Sequence, residues 1–367
     1  RNLYDVALFV LLVGRIGVGV AAGEGEGSAG ASTIEKSERL LFHVPSFSVS
    51  ELDDGSRSDE VAAILAGTGL ISVSGNYADV AHLVSLREEA FTGMCNCMKK
   101  ESSSSSPFAF VQGADSSMLE DGTTRTTLAT ATVGETPLKL NSDQLLQAGC
   151  SAETVQAMDS IRDQVAWSSH VFISALDRLL IANDNSREVL LDTIHDNSYS
   201  TVKSIVKASQ HLEHFHVYDK ASGNAGVLDV HTDAGLFLSF VPGRSCSSDE
   251  SSDFFVQHQG ILKQAVFEPG TVGLMLGVGA EHWLQTSVPL RATRHAVSMQ
   301  SGQSRAWYGM SKSNECARCF QLLLSCSSNL TCLFSFSITV HLVPQDAIVQ
   351  DFPKRTFADM RKSMVLN

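Results

Sequence analysis

The sequence predicts a mainly β protein with flanking helices, built around a sandwich or jelly-roll barrel. From about residue 212 onward, apolar residues recur with a period of two in short runs separated by Gly, Pro, Asn and Ser. Eight such runs indicate antiparallel strands joined by turns. They are HFHVY, GVLDVH, LFLSFV, DFFVQ, LKQAVF, VGLMLG, RHAVSM and RAWYGM. Residues 211–310 are therefore predicted to form the β core.

The region 36–210 that precedes this core has a different pattern. Leu40 to Val49 has strand composition, Glu60 to Leu65 is a short helical run, and Gly69 to Gly75 is again strand-like. This predicts a strand, helix and strand in succession. The low-complexity ESSSSS stretch begins at residue 101, and the polar sequence from there to about residue 135 lacks periodicity. It predicts a loop.

Two long helices are predicted between this loop and the β core. The first covers about residues 153–181, where apolar residues recur at steps of three, four and seven and therefore share one helical face. That face consists of Met158, Ile161, Val165, Phe172, Leu176 and Leu179. The second is expected from about Ser186 to Ser209.

Composition excludes several classes of function. The chain has 367 residues, of which 43% are apolar, enough to fill a core. Its net charge of −13 repels a phosphate backbone, so nucleic acid is not expected as a partner. No run of apolar residues is long enough for a membrane-spanning helix. A small-molecule substrate is the expected partner, and the oligomeric state is open.

The first 35 residues are interpreted as a leader. Val6 to Val13 is a short apolar run, and small residues suited to cleavage follow it, which is compatible with a signal or transit segment and equally with an ordinary N-terminus. A targeting signal would direct the chain to the secretory pathway or an organelle. Without one, a cytoplasmic location is expected.

The eight cysteines are not expected to form a disulfide framework, because four of them fall in one segment near the C-terminus. Zinc binding by Cys316, Cys319, Cys326 and Cys332 is disfavoured, since the flanking sequence is apolar and Ser-rich without turn residues.

The residues that carry chemistry lie in the β core. His231 and Asp233 are two positions apart at the end of a predicted strand, so both side chains can face the interior. His295 lies in a later strand-like run, and Arg305 follows it by ten residues. Two imidazoles and one carboxylate are the ligand set of non-haem iron(II) oxygenases, with three coordination positions left for a bidentate 2-oxo acid and dioxygen. The planar guanidinium of Arg305 suits the distal carboxylate of that acid.

With these motifs, about residues 40–310 resemble the iron(II)/2-oxoglutarate-dependent dioxygenases of the isopenicillin N synthase-like branch. That resemblance implies a double-stranded β-helix core, Fe(II), 2-oxoglutarate and O2 as cofactor and cosubstrates, and oxidation of a small organic molecule with release of succinate and CO2. It implies metal ligation by His231, Asp233 and His295. It also implies 2-oxoglutarate binding by Arg305 and by Tyr218, which matches the tyrosine of the family's N-x-Y strand.

Three residues depart from the family pattern. Trp307 replaces the Ser that follows the binding Arg, Ala296 replaces an Arg after the distal His, and His216 replaces the usual Asn. His282 is a rival for the third metal ligand. A structural role is the alternative for all the histidines, including His211, His214 and His216. The alternative functions are a catalytically silent jelly-roll binding protein and a cupin-like metalloenzyme that does not use 2-oxoglutarate.

The sequence after residue 310 is interpreted in two parts. Residues 311–340 are apolar and Ser-rich without periodicity and contain the sequon at Asn329, which favours an insertion such as a retained intron over an additional hairpin or helix. His341 to Ile348 resembles the Pro-containing segment that the family places directly after the last strand. The tail 341–367 is expected to be helical.

Overall fold

The structure is a computed structural model. It describes residues 40–75, 80–98, 107–119, 121–133, 136–137, 140–183, 189–192, 198–220, 228–233, 235–246, 254–299, 301–311, 348–349 and 352–356. The leader, the predicted insertion from residue 312 to 340 and its four cysteines lie outside these residues. None of the helices in the described ranges is long and apolar enough to cross a membrane.

Helices flank the β core in this part of the chain. They are α1 (Val49–Asp54), α2 (Ser58–Gly67), α3 (Val80–Met98), α4 (Ser142–Gln147), α5 (Ala152–Asn183), α6 (Val202–Ala208) and α7 (Val278–His282). A 3-10 turn covers Pro107–Phe110. Helix α5 confirms the first predicted long helix.

The strands before the core are β1 (Leu41–His43), β2 (Ser46–Ser48), β3 (Leu70–Ser74), β4 (Ala114–Met118), β5 (Thr124–Val133), β6 (Thr136–Pro137), β7 (Leu191–Asp192) and β8 (Ser198–Tyr199). The core strands are β9 (Gln210–Asp219), β10 (Leu228–His231), β11 (Phe237–Ser245), β12 (Phe254–His258), β13 (Ile261–Val266), β14 (Val272–Leu276), β15 (His295–Val297) and β16 (Ser304–Ser311). Strands β17 (Ile348–Val349) and β18 (Phe352–Thr356) follow. All eight predicted core strands are present.

The core strands form two sheets with jelly-roll connectivity. The larger sheet contains the order β14-β11-β16-β9, and the smaller sheet contains β13-β12-β15-β10. Strands β2 and β3 extend the larger sheet beyond β14, β5 and β4 extend it beyond β9, and β1 extends the smaller sheet. This arrangement confirms the predicted fold class.

Each face of the larger sheet buries a different set of side chains. On the outer face, Phe215, Val217 and Tyr308 pack with residues of α3 and α5, such as Phe91 and Met158. On the inner face, Leu238, Phe240 and Met275 of the larger sheet pack against Phe254 and Val256 of the smaller sheet. The period of two in the sequence reflects this division, because successive side chains of a strand point to opposite faces.

Three secondary-structure predictions were wrong. In the predicted loop up to residue 135, Ala114–Met118 and Thr124–Val133 form the hairpin β4–β5. The second long helix is reduced to Val202–Ala208, with β7 and β8 before it. In the predicted helical tail, β17 and β18 pair as antiparallel strands. Thr-rich segments such as TRTTLATATV carry few apolar residues, so their strand periodicity is weak although their β-branched side chains favour strands.

Two disulfides correct the interpretation of the cysteines. Cys95 on α3 is bonded to Cys246 after β11, and Cys97 on α3 is bonded to Cys150 before α5. The Cα atoms of the two pairs are 5.7 Å and 5.0 Å apart, within the usual range for a disulfide. These partners lie 151 and 53 residues apart in sequence, so only the packing of α3 on the core brings them together.

Candidate metal centre

Neighbouring strands of the smaller sheet bring the three predicted ligands together. Strand β10 ends at His231, Asp233 follows two residues later, and β15 begins at His295. The two strands are antiparallel, and His231 and His295 are opposite each other in the register. The two imidazole rings therefore lie side by side, with their centroids 4.3 Å apart.

The donor atoms of these side chains converge on one point. The Nε2 atom of His231 is 3.9 Å from Oδ1 of Asp233, and Nε2 of His295 is 4.0 Å from Oδ2 of the same carboxylate. One ligand atom from each of the three residues lies within 4.8 Å of the others. No other cluster of three such side chains with this spacing occurs among the described residues.

The environment of His295 prepares one of its nitrogens for a metal. Its side chain is buried, and Nδ1 lies 3.0 Å from the carbonyl oxygen of Thr293. A carbonyl can only accept, so Nδ1 donates and the lone pair is on Nε2, the atom that faces Asp233. Burial lowers the pKa of His295, partly opposed by the charge of Asp233. This favours the neutral imidazole that a metal requires.

The donor chemistry fits a divalent transition metal. Two imidazole nitrogens and one carboxylate are an arrangement that suits iron(II) with open positions, whereas calcium and magnesium prefer oxygen ligands throughout. The side chains of His231 and Asp233 are 37% and 25% exposed, so the site has access to solvent on that side.

The predicted binding residues Arg305 and Tyr218 lie on the inner face of the larger sheet. They are opposite each other on β16 and β9. Both side chains are buried, with 5% of Arg305 and 9% of Tyr218 exposed. Burial raises the pKa of the Tyr218 hydroxyl, while the positive charges of Arg125 and Arg305 oppose the rise. The negative charge of Asp233 adds to the rise in the pKa of Tyr218.

Arg125 belongs to this surface, although the sequence interpretation did not include it. On β5 it is opposite Tyr218 of β9, so Arg125, Tyr218 and Arg305 form one row across three strands. The residue lies in the segment that was predicted to be a loop. Arg125 and Thr127 face the interior, whereas Leu128 faces the opposite side. This alternation is the signal that could have identified the strand and Arg125 with it.

Two departures from the family pattern pack against each other. Trp307 and His216 are opposite each other on β16 and β9, and their rings stack with centroids 5.4 Å apart. Gly309 provides the space, because a Cβ atom there would be 2.4 Å from the indole of Trp307. The ring of His216 also stacks on the ring of His214, with the two centroids 5.2 Å apart.

The other histidines that the sequence analysis singled out do not join the three candidate ligands in the described part of the chain. His282 is the last residue of α7, and His211 lies on the outer face of β9. His214 and His216 are on the inner face but are fully buried in the row described above. The Nδ1 atom of His216 is 2.9 Å from the hydroxyl of Thr127.

Several solved structures with a similar fold are dioxygenases. The dioxygenase for auxin oxidation 1 from Arabidopsis thaliana, solved as a 2-oxoglutarate complex, has a TM-score of 0.50 and 12% identity, and the match covers 75% of this chain and 94% of that one. The rice dioxygenase for auxin oxidation has a TM-score of 0.50 and 12% identity, with 74% and 84% covered.

A third neighbour is JOX2 in complex with 2OG, Fe and JA. It has a TM-score of 0.52 and 12% identity, and the match covers 76% of both chains. No family model and no curated protein matches the sequence. The chain therefore has the fold of the 2-oxoglutarate-dependent dioxygenases, as the sequence motifs predicted.

Proposed function

We propose that the protein is a non-haem Fe(II) dioxygenase that uses 2-oxoglutarate to oxidise, by hydroxylation, a small organic substrate. The observation that carries the proposal is the convergence of His231, Asp233 and His295 in a jelly-roll core. The row of Arg305 and Tyr218 on the facing sheet supports it, because it offers a cationic and hydrogen-bonding surface for a dicarboxylate.

In this proposal His231, Asp233 and His295 would hold the iron. When bound, iron supplies the redox chemistry by which one oxygen atom of O2 enters the substrate and the other enters succinate, with CO2 released from 2-oxoglutarate. The chain contributes a fixed tautomer at His295, through the Nδ1 hydrogen bond to Thr293. It also contributes a single negative charge, from Asp233, that offsets part of the charge of the ion.

Arg305 would bind the distal carboxylate of 2-oxoglutarate. Its guanidinium is buried, so an ionic hydrogen bond made there is little screened by water. The Tyr218 hydroxyl, which is protonated at neutral pH, would donate a second hydrogen bond. Together the two side chains would hold 2-oxoglutarate so that its 2-oxo acid end points toward His231 and His295.

The test has two measurements. The purified chain, loaded with Fe(II), is incubated with 2-oxoglutarate and O2, and succinate is measured with and without a panel of small metabolites. Iron content is measured for the wild type, for Asp233→Ala and for the control Asp115→Ala, an exposed carboxylate on β4. We expect succinate formation by the wild type and the control.

Asp233→Ala should bind iron more weakly by a factor on the order of 100, because the variant lacks the only anionic side chain among the three ligands. Its circular dichroism spectrum should remain that of the wild type. Full iron occupancy in Asp233→Ala would refute the ligand assignment. Tight iron binding by the wild type without any succinate would instead favour a catalytically silent jelly roll.

A further inference from the structure

The turn between β14 and α7, residues 276–279, is hydrogen-bonded to the segment that contains Asp233. The backbone N–H of Val278 donates to the carbonyl oxygen of Asp233 at 2.7 Å. The next N–H, of Gly279, donates to the carbonyl oxygen of Gly235 at 2.9 Å. The backbone of Asp233 is therefore held by a turn at the end of a strand of the larger sheet, while its side chain faces the histidines of the smaller sheet.

The same β14–α7 turn is linked to His295 through one intermediate residue. The N–H of Thr293 donates to the carbonyl oxygen of Leu276 at 2.9 Å. The carbonyl oxygen of Thr293 in turn accepts from Nδ1 of His295, at 3.0 Å. Two of the three candidate ligands are therefore connected to one short piece of backbone, which fixes the position of one relative to the other.

The backbone conformation of Gly277 does not require a glycine. Its φ of −103° and ψ of 176° are extended, and any residue adopts such angles. Gly277 is also the N-cap of α7, a position where Ser, Asp and Asn are preferred because their side chains satisfy a free N–H. Neither the conformation nor the start of the helix explains why position 277 has no side chain.

A close approach of two backbone segments does explain it. A Cβ atom at position 277 would lie 2.2 Å from the carbonyl oxygen of Gly235 and 2.8 Å from that of Asp233. Both contacts would be with backbone atoms, which cannot rotate away as the end of a flexible side chain can. Any side chain at position 277 must therefore move the backbone of Asp233 away from the turn.

We propose that Gly277 is a positioning residue of the metal centre. The absence of a side chain there lets the β14–α7 turn hold Asp233 and His295 at the separation at which one ion binds both. The inference rests on the proposed function, because it takes His231, Asp233 and His295 as the metal ligands. Gly277 contributes no ligand atom and acts through the backbone of Asp233 and Thr293.

The test compares two variants of the turn with a matched control. Gly277→Ala adds the Cβ atom, and Val278→Pro removes the N–H that donates to Asp233. Proline is tolerated as the first residue of a helix, and the extended residue 277 suits the position before a proline, so α7 can still form. The control is Gly93→Ala on α3, whose Cβ atom would lie 1.9 Å from Oγ1 of Thr154 on α5. It introduces a steric overlap between two helices of the outer face.

Metal affinity and coordination geometry are the measured quantities. Each metal-free protein, with its folding checked by circular dichroism, is titrated with Fe(II) under anaerobic conditions and separately with Co(II), in competition with a chelator. Co(II) binds the same nitrogen and oxygen ligands, and its visible absorption spectrum depends on the number and geometry of the ligands.

We expect Gly277→Ala and Val278→Pro to bind both ions about 10- to 100-fold more weakly than the wild type, the usual effect of changing a group that orients metal ligands. Their Co(II) spectra should also differ from that of the wild type. Gly93→Ala should unfold at a lower urea concentration but keep the wild-type dissociation constants and Co(II) spectrum.

Two results would overturn the inference. The first is wild-type affinity together with a wild-type Co(II) spectrum in the variants of the turn. The second is an equal loss of affinity in Gly93→Ala, which would show that a steric overlap elsewhere in the fold has the same effect. If Gly277→Ala does not fold, Val278→Pro decides between these outcomes. Failure of the wild type to bind either ion would instead refute the proposed metal centre, a result that is distinct from any difference between the wild type and its variants.

Discussion

Gly243 leaves the space that the guanidinium of Arg305 occupies. A Cβ atom at position 243 would lie 2.5 Å from Nε and 2.6 Å from Nη2 of Arg305. Real Cβ atoms do not approach other atoms this closely, so any larger residue displaces the guanidinium. Gly243 on β11 is therefore part of the arrangement that aims Arg305 into the interior.

Replacing Gly243 by alanine should weaken 2-oxoglutarate binding about tenfold and leave iron content unchanged, because the fork of Arg305 must shift while the metal cluster is on the other sheet. Titration of the iron-loaded protein with 2-oxoglutarate measures the effect. Gly67→Ala is the control, since its Cβ would meet nothing within 4 Å. Equal 2-oxoglutarate affinity in both variants would show that Arg305 does not bind the cosubstrate in this position.

Changing Arg305 to lysine tests the geometry of the same contact. Lysine retains the positive charge but loses the planar fork, so the dissociation constant of 2-oxoglutarate should rise by about tenfold or more. Iron content, measured in parallel, should not change. Arg244→Lys, on the outer face, provides the comparison. An unaltered dissociation constant in Arg305→Lys would remove Arg305 from the site.

A buried ion pair under the larger sheet should be important for stability. Nε of Arg162 on α5 is 2.6 Å from Oε2 of Glu213 on β9, and their side chains are 5% and 0% exposed. Glu213→Gln should reduce the free energy of unfolding by up to about 3–5 kcal/mol, because Arg162 then stays charged in the core with only the half-exposed Asp159 as its carboxylate partner. Urea unfolding measures the loss.

The double variant Arg162→Leu, Glu213→Leu should lose less free energy of unfolding than the two single variants lose when their losses are added. The reason is that the double variant leaves neither charge alone in the core. Additive losses would show that the two side chains contribute independently.

Acid should destabilise the fold through the inner-face histidines. Burial, and then the charge of Arg125, lowers the pKa of His214 to about 3. Between pH 6.5 and 3 the unfolded chain therefore binds a proton at this position that the folded chain does not, so stability falls as the pH falls through that window. The loss at pH 5 is about 2 kcal/mol for one such histidine.

His214→Phe, which keeps a ring but cannot titrate, should show a smaller loss of stability between pH 7 and pH 5 than the wild type. Urea unfolding of the metal-free protein in chelator removes the contribution of metal release at acid pH. His43→Phe, at an exposed position, is the control and should follow the wild type. The same loss in all three proteins would show that His214 does not cause the acid sensitivity.

The amino-acid pattern determined the core of the fold and pointed to the three residues of the candidate metal site. The core strands are short apolar runs bounded by turn residues, and all eight runs are strands in the structure. The pair His231 and Asp233 shares a face for the same local reason. Helix α5 was equally predictable, because 32 residues that pack along a sheet carry a long apolar stripe.

Only the tertiary structure decided which distant residues meet. Strand pairing joins segments far apart in sequence, and alternation shows that a residue faces inward without showing which residue is opposite. Pairing of β5 with β9 places Arg125 beside Tyr218, although the polar composition of β5 concealed the strand. Close packing likewise decided the partners of Cys95 and Cys97 on α3 and the space at Gly243 for Arg305. These relationships depend on interatomic distances between distant segments, and a local sequence pattern does not contain them.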